Sequence, residues 1–269
     1  MNRNMIPDIR IEDYNYPLPD ERIAKYPLAE RDSSKLLRYE NGVVKEYVFR
    51  EIPELLPSDA VMVFNDTKVV PARMHFQRET GAVIEIFCLE PEYPVEYNLI
   101  FAATENCRWK CIVGNAKKWK ADTLHVINPE ASPEISEIGL TADLISRDGQ
   151  TAEVEFRWKN GMPFSRVLEV CGNIPIPPYL NRDTEAIDLD RYQTLYAKYR
   201  GSVAAPTAGL HFTERVLEDI RKRGIDMEDV CLHVGAGTFL PVKDSLVSRH
   251  HMHREPFSVK IDLLSEPRL

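Results

Sequence analysis

The sequence has no long hydrophobic run and no excess of basic residues. Its 34 Lys and Arg stand against 42 Asp and Glu, giving a formal net charge of −8 over 269 residues. Proteins that bind polyanions indiscriminately are normally basic, so a nucleic-acid contact here requires a local basic patch. Residues 1–16 carry acids and no apolar stretch. This predicts no signal peptide and no membrane span, and it favours a cytoplasmic protein.

Cysteine is also sparse, and its spacing is not that of a metal site. The five are Cys88, Cys107, Cys111, Cys171 and Cys231. An odd number, mostly in apolar contexts, predicts buried reduced thiols rather than disulfides. Only Cys107 and Cys111 are close in sequence, and they lack the second pair or the His residues that a structural zinc site needs. We therefore expect no metal at this pair.

Hydrophobic patterning changes twice along the chain. Residues 60–64 form a short apolar run that predicts a buried strand entering a loop. After it come six strand-like segments separated by turn-forming residues: 81–89, 97–103, 109–113, 123–127, 140–146 and 151–158. We predict a mixed α/β domain built from residues 1–68 and 160–269, interrupted by a small antiparallel β-barrel domain at 69–159.

Sequence signals for helices lie on both sides of the predicted barrel domain. A Pro-Asp pair at 19–20 predicts a helix start, and the pattern at 163–171 predicts a helix. Tyr192, Leu195, Tyr196 and Tyr199 recur at helical spacing, which predicts one helical face starting near Asp190. For the next helix, Thr213 is a natural N-cap, Phe212 and Leu217 occupy staple positions, and Gly224 fits the C-terminal turn. A buried strand is expected at 230–234.

Two glycine-containing segments are candidate ligand sites. Residues 201–212 combine small side chains with Ser202, Thr207 and His211, which suits close ligand approach; a tight interhelical connection is the alternative. Residues 233–239 are a predicted strand end followed by a Gly-rich turn. Pro241 opposes the helix that a phosphate loop needs, so this segment favours a nucleoside without phosphates.

Three further charged segments each allow more than one interpretation. His250, His251, His253 and Glu255 fit an acid–base site, a metal site or a solvated turn. Residues 65–73 fit a functional loop, or a polar hinge in which Asp66 pairs with Lys68 or Arg73. A basic run interleaved with Trp109 and Trp119 fits an RNA-backbone and base-stacking face, or a solvated hairpin. Its members are Arg108, Lys110, Lys117, Lys118 and Lys120.

A set of motifs in fixed order resembles one family over nearly the whole chain. The segments are YPLAERDSSKLL at 26–37, FNDTKVVPAR at 64–73, IPPY at 176–179, RYQTLYA at 191–197, GSVAAPTAGLHFT at 201–213 and LHVGAGTF at 232–239, with His250, Met252, His253 and Glu255. Together they resemble the S-adenosylmethionine:tRNA ribosyltransferase-isomerases of queuosine biosynthesis. The resemblance also implies a large α/β domain interrupted by a β-barrel.

The resemblance implies a reaction in which S-adenosylmethionine is a substrate rather than a cofactor. Its ribosyl unit is transferred to 7-aminomethyl-7-deazaguanine at the tRNA wobble position and isomerised to give epoxyqueuosine, with release of adenine and methionine. No true cofactor and no metal are implied. The expected partners are S-adenosylmethionine and the tRNA anticodon loop, with no membrane, and we expect a monomer.

This chemistry requires a base near the ribose 5′ carbon, which the sulfonium acidifies, and an acid for departing adenine. The candidate carboxylates are Asp66 and Glu255, and the candidate proton carriers are His211, His233 and His253. Ser202, Thr207 and Thr238 are candidate hydrogen-bonding groups for ribose or adenine. Lys68, Arg73 and Arg191 are candidates for tRNA phosphate or the methionine carboxylate. The remaining substrate-binding candidates from the motifs are Tyr192, Gln193, Gly209, Gly235 and Gly237.

One departure from the family pattern concerns its later motifs. A Thr-Thr-rich turn and a late Asn-Phe-His segment do not occur before Leu269. This keeps an alternative open, in which the chain is a non-catalytic tRNA- or nucleoside-binding fragment of a longer protein.

Overall fold

The computed structural model describes residues 9–120, 122–127, 132–149, 151–239, 242, 244–250, 252 and 255–260. Its strands are β1 Lys35–Glu40, β2 Val43–Val48, β3 Val61–Asn65, β4 Thr67–Val69, β5 Arg73–Gln77, β6 Val83–Tyr93, β7 Asn106–Gly114, β8 Leu124–Val126, β9 Thr141–Asp148, β10 Thr151–Arg157, β11 Gly172–Asn173, β12 Tyr199–Ser202, β13 Asp226–Leu232 and β14 Phe257–Val259. Its α-helices are α1 Ile52–Leu55, α2 Tyr97–Ala102, α3 Pro133–Ile138, α4 Phe164–Cys171, α5 Asp188–Arg191 and α6 Glu214–Lys222. Within these ranges no helix is long and apolar enough to cross a membrane.

Six antiparallel strands close into a barrel in the order β5-β6-β7-β10-β9-β8, with β8 pairing back onto β5. Successive side chains of a strand alternate between the two faces of the sheet. Cys107, Trp109 and Cys111 of β7 are accordingly buried in the barrel, whereas Arg108 and Lys110 are half-exposed. The mixed α/β fold with an antiparallel barrel is thus confirmed, while the exact domain boundaries stay a prediction.

The barrel differs from its prediction in one strand. Residues 97–103 were expected to be a strand, but Tyr97–Ala102 is helix α2. Tyr97, Ile100 and Phe101 lie at the i, i+3, i+4 spacing of one helical face, and the last two are buried. The sixth strand is instead β5, which lies inside the predicted barrel domain at 69–159, although the sequence predicts no strand segment there. The strand count was correct and one member was wrong.

Helix α4, predicted at 163–171, packs its apolar side chains into the core of the barrel. The ring of Phe164 is fully buried against Trp109, Phe156 and Trp158, with ring centroids 6.0, 5.7 and 5.2 Å away. Burying one such side chain contributes about 1.5–3 kcal/mol. The helix therefore joins the α/β part of the chain to the barrel core.

The α/β part contains two small sheets with parallel pairs. Strand β13 lies between β3, to which it is parallel, and the antiparallel β14. Strand β12 pairs in parallel with β4. The strands predicted at 60–64 and 230–234 are present as β3 and β13, one or more residues displaced. The hairpin of β1 and β2 precedes them and was not predicted.

Helix α6 begins and ends as its sequence predicts. The Thr213 side chain accepts a hydrogen bond from the Val216 backbone N–H, and Gly224 follows the helix with φ +74°. Val216, Leu217 and Ile220 are buried in a cluster with the rings of residues 49, 64 and 212. This apolar stripe packs the helix against β3.

The helix expected from Asp190 onward is wrong beyond its first turn. Helix α5 stops at Arg191, and Tyr199 begins β12. The N–H groups of Lys198 and Tyr199 donate to the Asp66 carbonyl, at 2.7 and 3.2 Å, rather than to carbonyls one helical turn back. Pairing with β4 overrides the helical spacing of the tyrosines. The helix start at residues 19–20 likewise gives a single 3₁₀ turn, Asp20–Arg22.

All five cysteines are free thiols, as predicted. Cys88, Cys107, Cys111 and Cys231 are buried, and Cys171 is partly buried. Burial raises the pKa of the Cys107 and Cys111 thiols well above the ordinary value, so both stay protonated.

Candidate active site

His233 follows β13 directly and lies where three family segments meet. Its Nδ1 is 3.2 Å from the hydroxyl of Thr67, which belongs to β4. That hydroxyl is also 3.5 Å from the carbonyl oxygen of Tyr199 in β12, the acceptor for its proton. On this pattern we assign the Nδ1–H tautomer to His233, in which Nδ1–H donates to the Thr67 oxygen and Nε2 carries the lone pair of a base.

Tyr97 of α2 covers the imidazole from the barrel side. The two rings stack with centroids 4.5 Å apart and an interplanar angle of 24°. Burial lowers the pKa of His233 below 6.5, so the ring is neutral at pH 7. Burial, followed by the charges of Glu90 and Glu255, raises the pKa of Tyr97 to about 12, so its phenol keeps its proton.

A cavity of about 570 Å³ opens beside His233, a volume within the usual range of small-ligand sites. Cys231 also lines it, with Sγ 3.9 Å from His233 Nε2. Lys198 and Arg200 contribute two cationic side chains to the wall. The cavity thus combines a neutral base with charges able to hold a ligand carboxylate.

Asp66 lies buried behind this wall, only 1% exposed, with Oδ1 lacking a hydrogen-bond partner among the described residues. Its Oδ2 is 3.9 Å from Lys198 Nζ, which also pairs with Asp229 at 2.6 Å. Burial and the neighbouring charge of Asp229 raise the pKa of Asp66. The alternative pairing with Lys68 or Arg73 is wrong.

The glycine turn after His233 is fixed by two side chains. The fully buried Ser202 hydroxyl accepts from the Val234 N–H at 2.7 Å, and Glu255 Oε1 accepts from the Gly235 N–H at 3.3 Å. The turn continues into the 3₁₀ segment Ala236–Phe239, which contains Gly237. There the Thr238 N–H donates to the Gly235 carbonyl at 3.4 Å, and Thr238 is exposed. Ser202 and Glu255 therefore hold the backbone next to the cavity.

A second cavity, of about 580 Å³, contains the other described candidate proton carrier. His211 and Thr207 line it from the 3₁₀ segment Thr207–His211, together with Arg191 and Tyr192. Burial raises the pKa of Tyr192 to about 12. The structure does not bring His211 and His233 to one cavity, although both were candidates for the same reaction.

Three predicted binding residues have partners within the protein. The Gln193 amide accepts from the Val69 N–H and donates to the Val69 carbonyl, at 3.0 and 2.9 Å, as a neighbouring strand would. Arg73 lies 3.5 Å from Glu85. Gly209 packs so closely that a Cβ would be 2.3 Å from the Tyr196 hydroxyl. Lys68 and Gln193 line a third cavity, of about 190 Å³.

In the predicted RNA face the lysines are exposed, but the aromatic rings are buried. Lys117, Lys118 and Lys120 are exposed. Arg108 pairs with Glu155 at 3.2 Å, and Lys110 lies 3.7 Å from Glu90. The two tryptophans of this run are 1% and 3% exposed because they point into the barrel, so the base-stacking part of the prediction is wrong.

The His-rich segment is only partly described. His251 and His253 lie outside the described residues, and His250 Nδ1 lies 3.8 Å from Asp244 Oδ2. Among the residues that the structure does describe, no three His, Cys, Asp or Glu side chains form a group able to hold a metal ion. The proton-carrier role of His253 stays a prediction.

Comparison with known proteins identifies the family. The model of the family described as "Queuosine biosynthesis protein" matches residues 11–266. A relative from Trichlorobacter lovleyi is 40% identical over 249 residues, covering 92% of this chain and 67% of its own, and one from Treponema denticola is 39% identical over 257 residues, covering 92% and 67%. Both are named S-adenosylmethionine:tRNA ribosyltransferase-isomerase. A crystal structure of S-adenosylmethionine tRNA ribosyltransferase from Thermotoga maritima matches with 25% identity and a TM-score of 0.30, covering 82% of this chain and 58% of that one.

A mixed α/β fold with an antiparallel barrel, and a partly buried histidine beside a cavity of about 570 Å³, thus occur in a chain that the queuosine biosynthesis family model matches over residues 11–266. The chain belongs to the S-adenosylmethionine:tRNA ribosyltransferase-isomerase family. It spans about two thirds of the length of the relatives it matches.

Four residues around His233 were not among the candidates. The sequence pattern places Tyr97 in a strand, and it indicates only a buried thiol at Cys231. Thr67 stands in the family segment 64–73 beside the chosen Asp66, and its hydroxyl was the available signal. Lys198 follows the segment 191–197 directly, and nothing in its sequence context indicated that it reaches Asp66.

Proposed function

We propose that this chain binds S-adenosylmethionine in the His233 cavity and transfers its ribosyl unit to 7-aminomethyl-7-deazaguanine at the tRNA wobble position, giving epoxyqueuosine, adenine and methionine. Its family membership supports this reaction. The observation that carries the proposal is the convergence of three family segments on one imidazole: Thr67, His233 and the backbone of Gly201 come from 64–73, 232–239 and 201–213. We further propose that the chain works as a cytoplasmic monomer.

The cavity beside His233 suits S-adenosylmethionine in size and charge. Its volume of about 570 Å³ lies within the range of small-ligand sites. Lys198 and Arg200, which also pair with Asp229 and Glu169 respectively, are the cations that line the cavity and could bind the methionine carboxylate. Glu255, whose charge contributes to the raised pKa of Tyr97, supplies a carboxylate near the stacked rings. A carboxylate and aromatic faces both favour a nearby sulfonium.

His233 is the candidate general base. The sulfonium acidifies the ribose 5′ carbon, and the neutral imidazole accepts that proton at Nε2 while Nδ1–H donates to Thr67. The resulting imidazolium is a proton donor for the departing adenine, so one ring serves as base and then as acid. Tyr97, stacked on the imidazole, holds its plane.

Asp66 acts in this proposal through Lys198 rather than by touching substrate. Together with Asp229 it holds the ammonium at the cavity wall, and its pKa is raised first by burial and then by the neighbouring charge of Asp229. Asp66 is therefore a positioning residue. His211 and Thr207, which line the second cavity, have no part in the 5′ proton transfer.

Adenine release from S-adenosylmethionine tests the reaction. We expect adenine, detected by chromatography, only when tRNA carrying the 7-aminomethyl-7-deazaguanine wobble base is present. His233→Gln is expected to lower the rate by about 10²–10⁴-fold, the usual contribution of a general base. Wild-type chain that binds S-adenosylmethionine but releases no adenine would favour the alternative of a non-catalytic nucleoside- or tRNA-binding chain.

A further inference from the structure

The second cavity is lined by basic side chains, although the chain as a whole is acidic. It lies between residues 23–35 and residues 177–211 and has a volume of about 580 Å³. Its cationic lining residues are Lys25, Arg31, Lys35 and Arg191, and its rings are Tyr26, Tyr179, Tyr192 and His211. Among its described lining residues there is no Asp or Glu. Three of the cations have exposed carboxylate partners outside the lining, which a phosphate would replace: Lys25 pairs with Asp20 at 2.7 Å, Lys35 with Glu46 at 3.1 Å and Arg31 with Asp190 at 3.5 Å. Such a surface favours a ligand that is both anionic and aromatic.

Arginine side chains fix the walls of this cavity to each other. Arg191 donates to the carbonyl oxygens of Leu28 and Ala29, at 2.6 and 3.0 Å. Arg31 crosses in the other direction and donates to the Gln193 carbonyl at 2.8 Å. Because each guanidinium joins one wall to the other, the opening is a preformed feature of the fold. A preformed site lowers the ordering cost of binding.

Tyr179 presents the free aromatic surface. Its side chain is 57% exposed, and it lines the cavity. Tyr26, 53% exposed, stands across the same opening, with the Arg182 guanidinium 4.6 Å from its ring centroid and its hydroxyl donating to Glu185 at 2.6 Å. A ring fixed by a cation on one side and a second ring open to solvent form a surface on which a base can stack.

We propose that this second cavity binds a nucleotide of the tRNA anticodon loop, with its base on Tyr179 and its phosphate near Lys25 and Lys35. The inference rests on the proposed function, since it divides the two substrates between two cavities. S-adenosylmethionine occupies the cavity of His233, and the RNA strand occupies the cavity of His211. The sequence predicts base-stacking rings at Trp109 and Trp119 of the barrel. In this proposal Tyr179 takes that role instead.

Binding of a fluorescein-labelled anticodon stem-loop RNA, followed by anisotropy, tests this site. Stacking on an aromatic side chain contributes about 1–3 kcal/mol per base, so Tyr179→Ala is expected to raise the RNA Kd about 5- to 150-fold. Tyr179→Phe keeps the ring and is expected to keep the affinity. Tyr14→Ala is the matched control, because Tyr14 is 69% exposed and lines none of the three cavities.

Calorimetry with S-adenosylmethionine separates the two substrates. Tyr179→Ala is expected to leave the Kd of S-adenosylmethionine unchanged. An unchanged RNA Kd, a weakened S-adenosylmethionine Kd, or a wild-type chain that does not bind the stem-loop would each overturn the inference. The proposed reaction fails separately: a chain that binds RNA through Tyr179 but releases no adenine retains this site and loses the transferase activity.

Discussion

The imidazole of His233 lies directly against the backbone of Gly201. A Cβ on residue 201 would be 2.3 Å from both Nδ1 and Cε1 of that ring, closer than any real contact of this kind. Gly201 also has φ +156°, a conformation that other residues rarely adopt. The imidazole of His233 can therefore occupy this position only because residue 201 has no side chain.

Gly201→Ala is expected to move the imidazole and break its hydrogen bond to Thr67. Misplacing a catalytic group by about 1 Å costs on the order of 10²-fold in rate, so adenine release should fall by about that factor. Gly42→Ala is the control, since Gly42 has φ +82° with no atom within 4 Å of an added Cβ. It should lower Tm slightly and leave the rate unchanged. Equal rates for the two variants would contradict the placement.

The pH dependence of adenine release should show the neutral histidine. Burial lowers the pKa of His233 below 6.5, so its base form persists at pH 6.5. The rate should fall as the pH decreases, and the midpoint of this acidic limb should lie below pH 6.5. His233→Gln should remove this acidic limb along with most of the rate. An acidic limb that survives the substitution would assign the proton transfer to another group.

Removing the buried carboxylate of Asp188 should destabilise the fold. Arg182 binds it through two hydrogen bonds of 2.8 Å, and the Glu185 N–H adds a third of 2.8 Å. Asp188→Asn leaves the Arg182 cation largely buried and without its partner charge, which costs about 3–5 kcal/mol. Urea denaturation measures the loss. Asp183→Asn is the surface control and should change stability by less than about 0.5 kcal/mol.

The ion pair between Arg182 and Asp188 should also make the stability of the fold decrease in acid. Burial alone would raise the pKa of Asp188, but the hydrogen bonds from Arg182 and the Glu185 N–H hold it below 3.8. A carboxylate with a lowered folded-state pKa stabilises the protein above its unfolded value of about 3.9. The contribution is lost as the pH falls from there through the folded-state pKa. In Asp188→Asn, this part of the acid destabilisation should be absent.

The three exposed lysines after β7 predict a salt-dependent contact with tRNA. Each phosphate contact changes the slope of log Kobs against log salt by about 0.7–0.9. Replacing Lys117, Lys118 and Lys120 by Ala should weaken tRNA binding and flatten that slope by about 2–3. Lys45→Ala, on the separate β1–β2 hairpin, is the single-site control. An unchanged slope in the triple variant would show that the turn is only a solvated surface.

Strand periodicity predicted most of the barrel, and its errors have a physical cause. Residues 97–103 contain β-branched and aromatic side chains that suit a strand, but the spacing of Tyr97, Ile100 and Phe101 also suits a helix, and tertiary packing selected the helix. The helix predicted from Asp190 does not continue, because the backbone N–H groups of Lys198 and Tyr199 donate to the Asp66 carbonyl. Such a long-range hydrogen bond leaves no local signal in the sequence.

The motifs predicted which segments contribute to the candidate site. They did not predict that these segments line two separate cavities. Thr67, Gly201 and His233 come together from three family segments. His211 belongs to the same segment as Gly201. It nevertheless lines the second cavity, where it lies with residues from 23–35. Proximity in sequence therefore did not imply a shared cavity.

The stacking of Tyr97 on His233 has a consequence for how such chains diverge. Tyr97 lies in the connection between β6 and β7, and His233 follows β13 in the other part of the fold. A change in the barrel's loop alters the surroundings of the candidate base, so positions 97 and 233 should co-vary among natural relatives. We therefore expect a barrel grafted from a distant relative to need the histidine region of that relative as well.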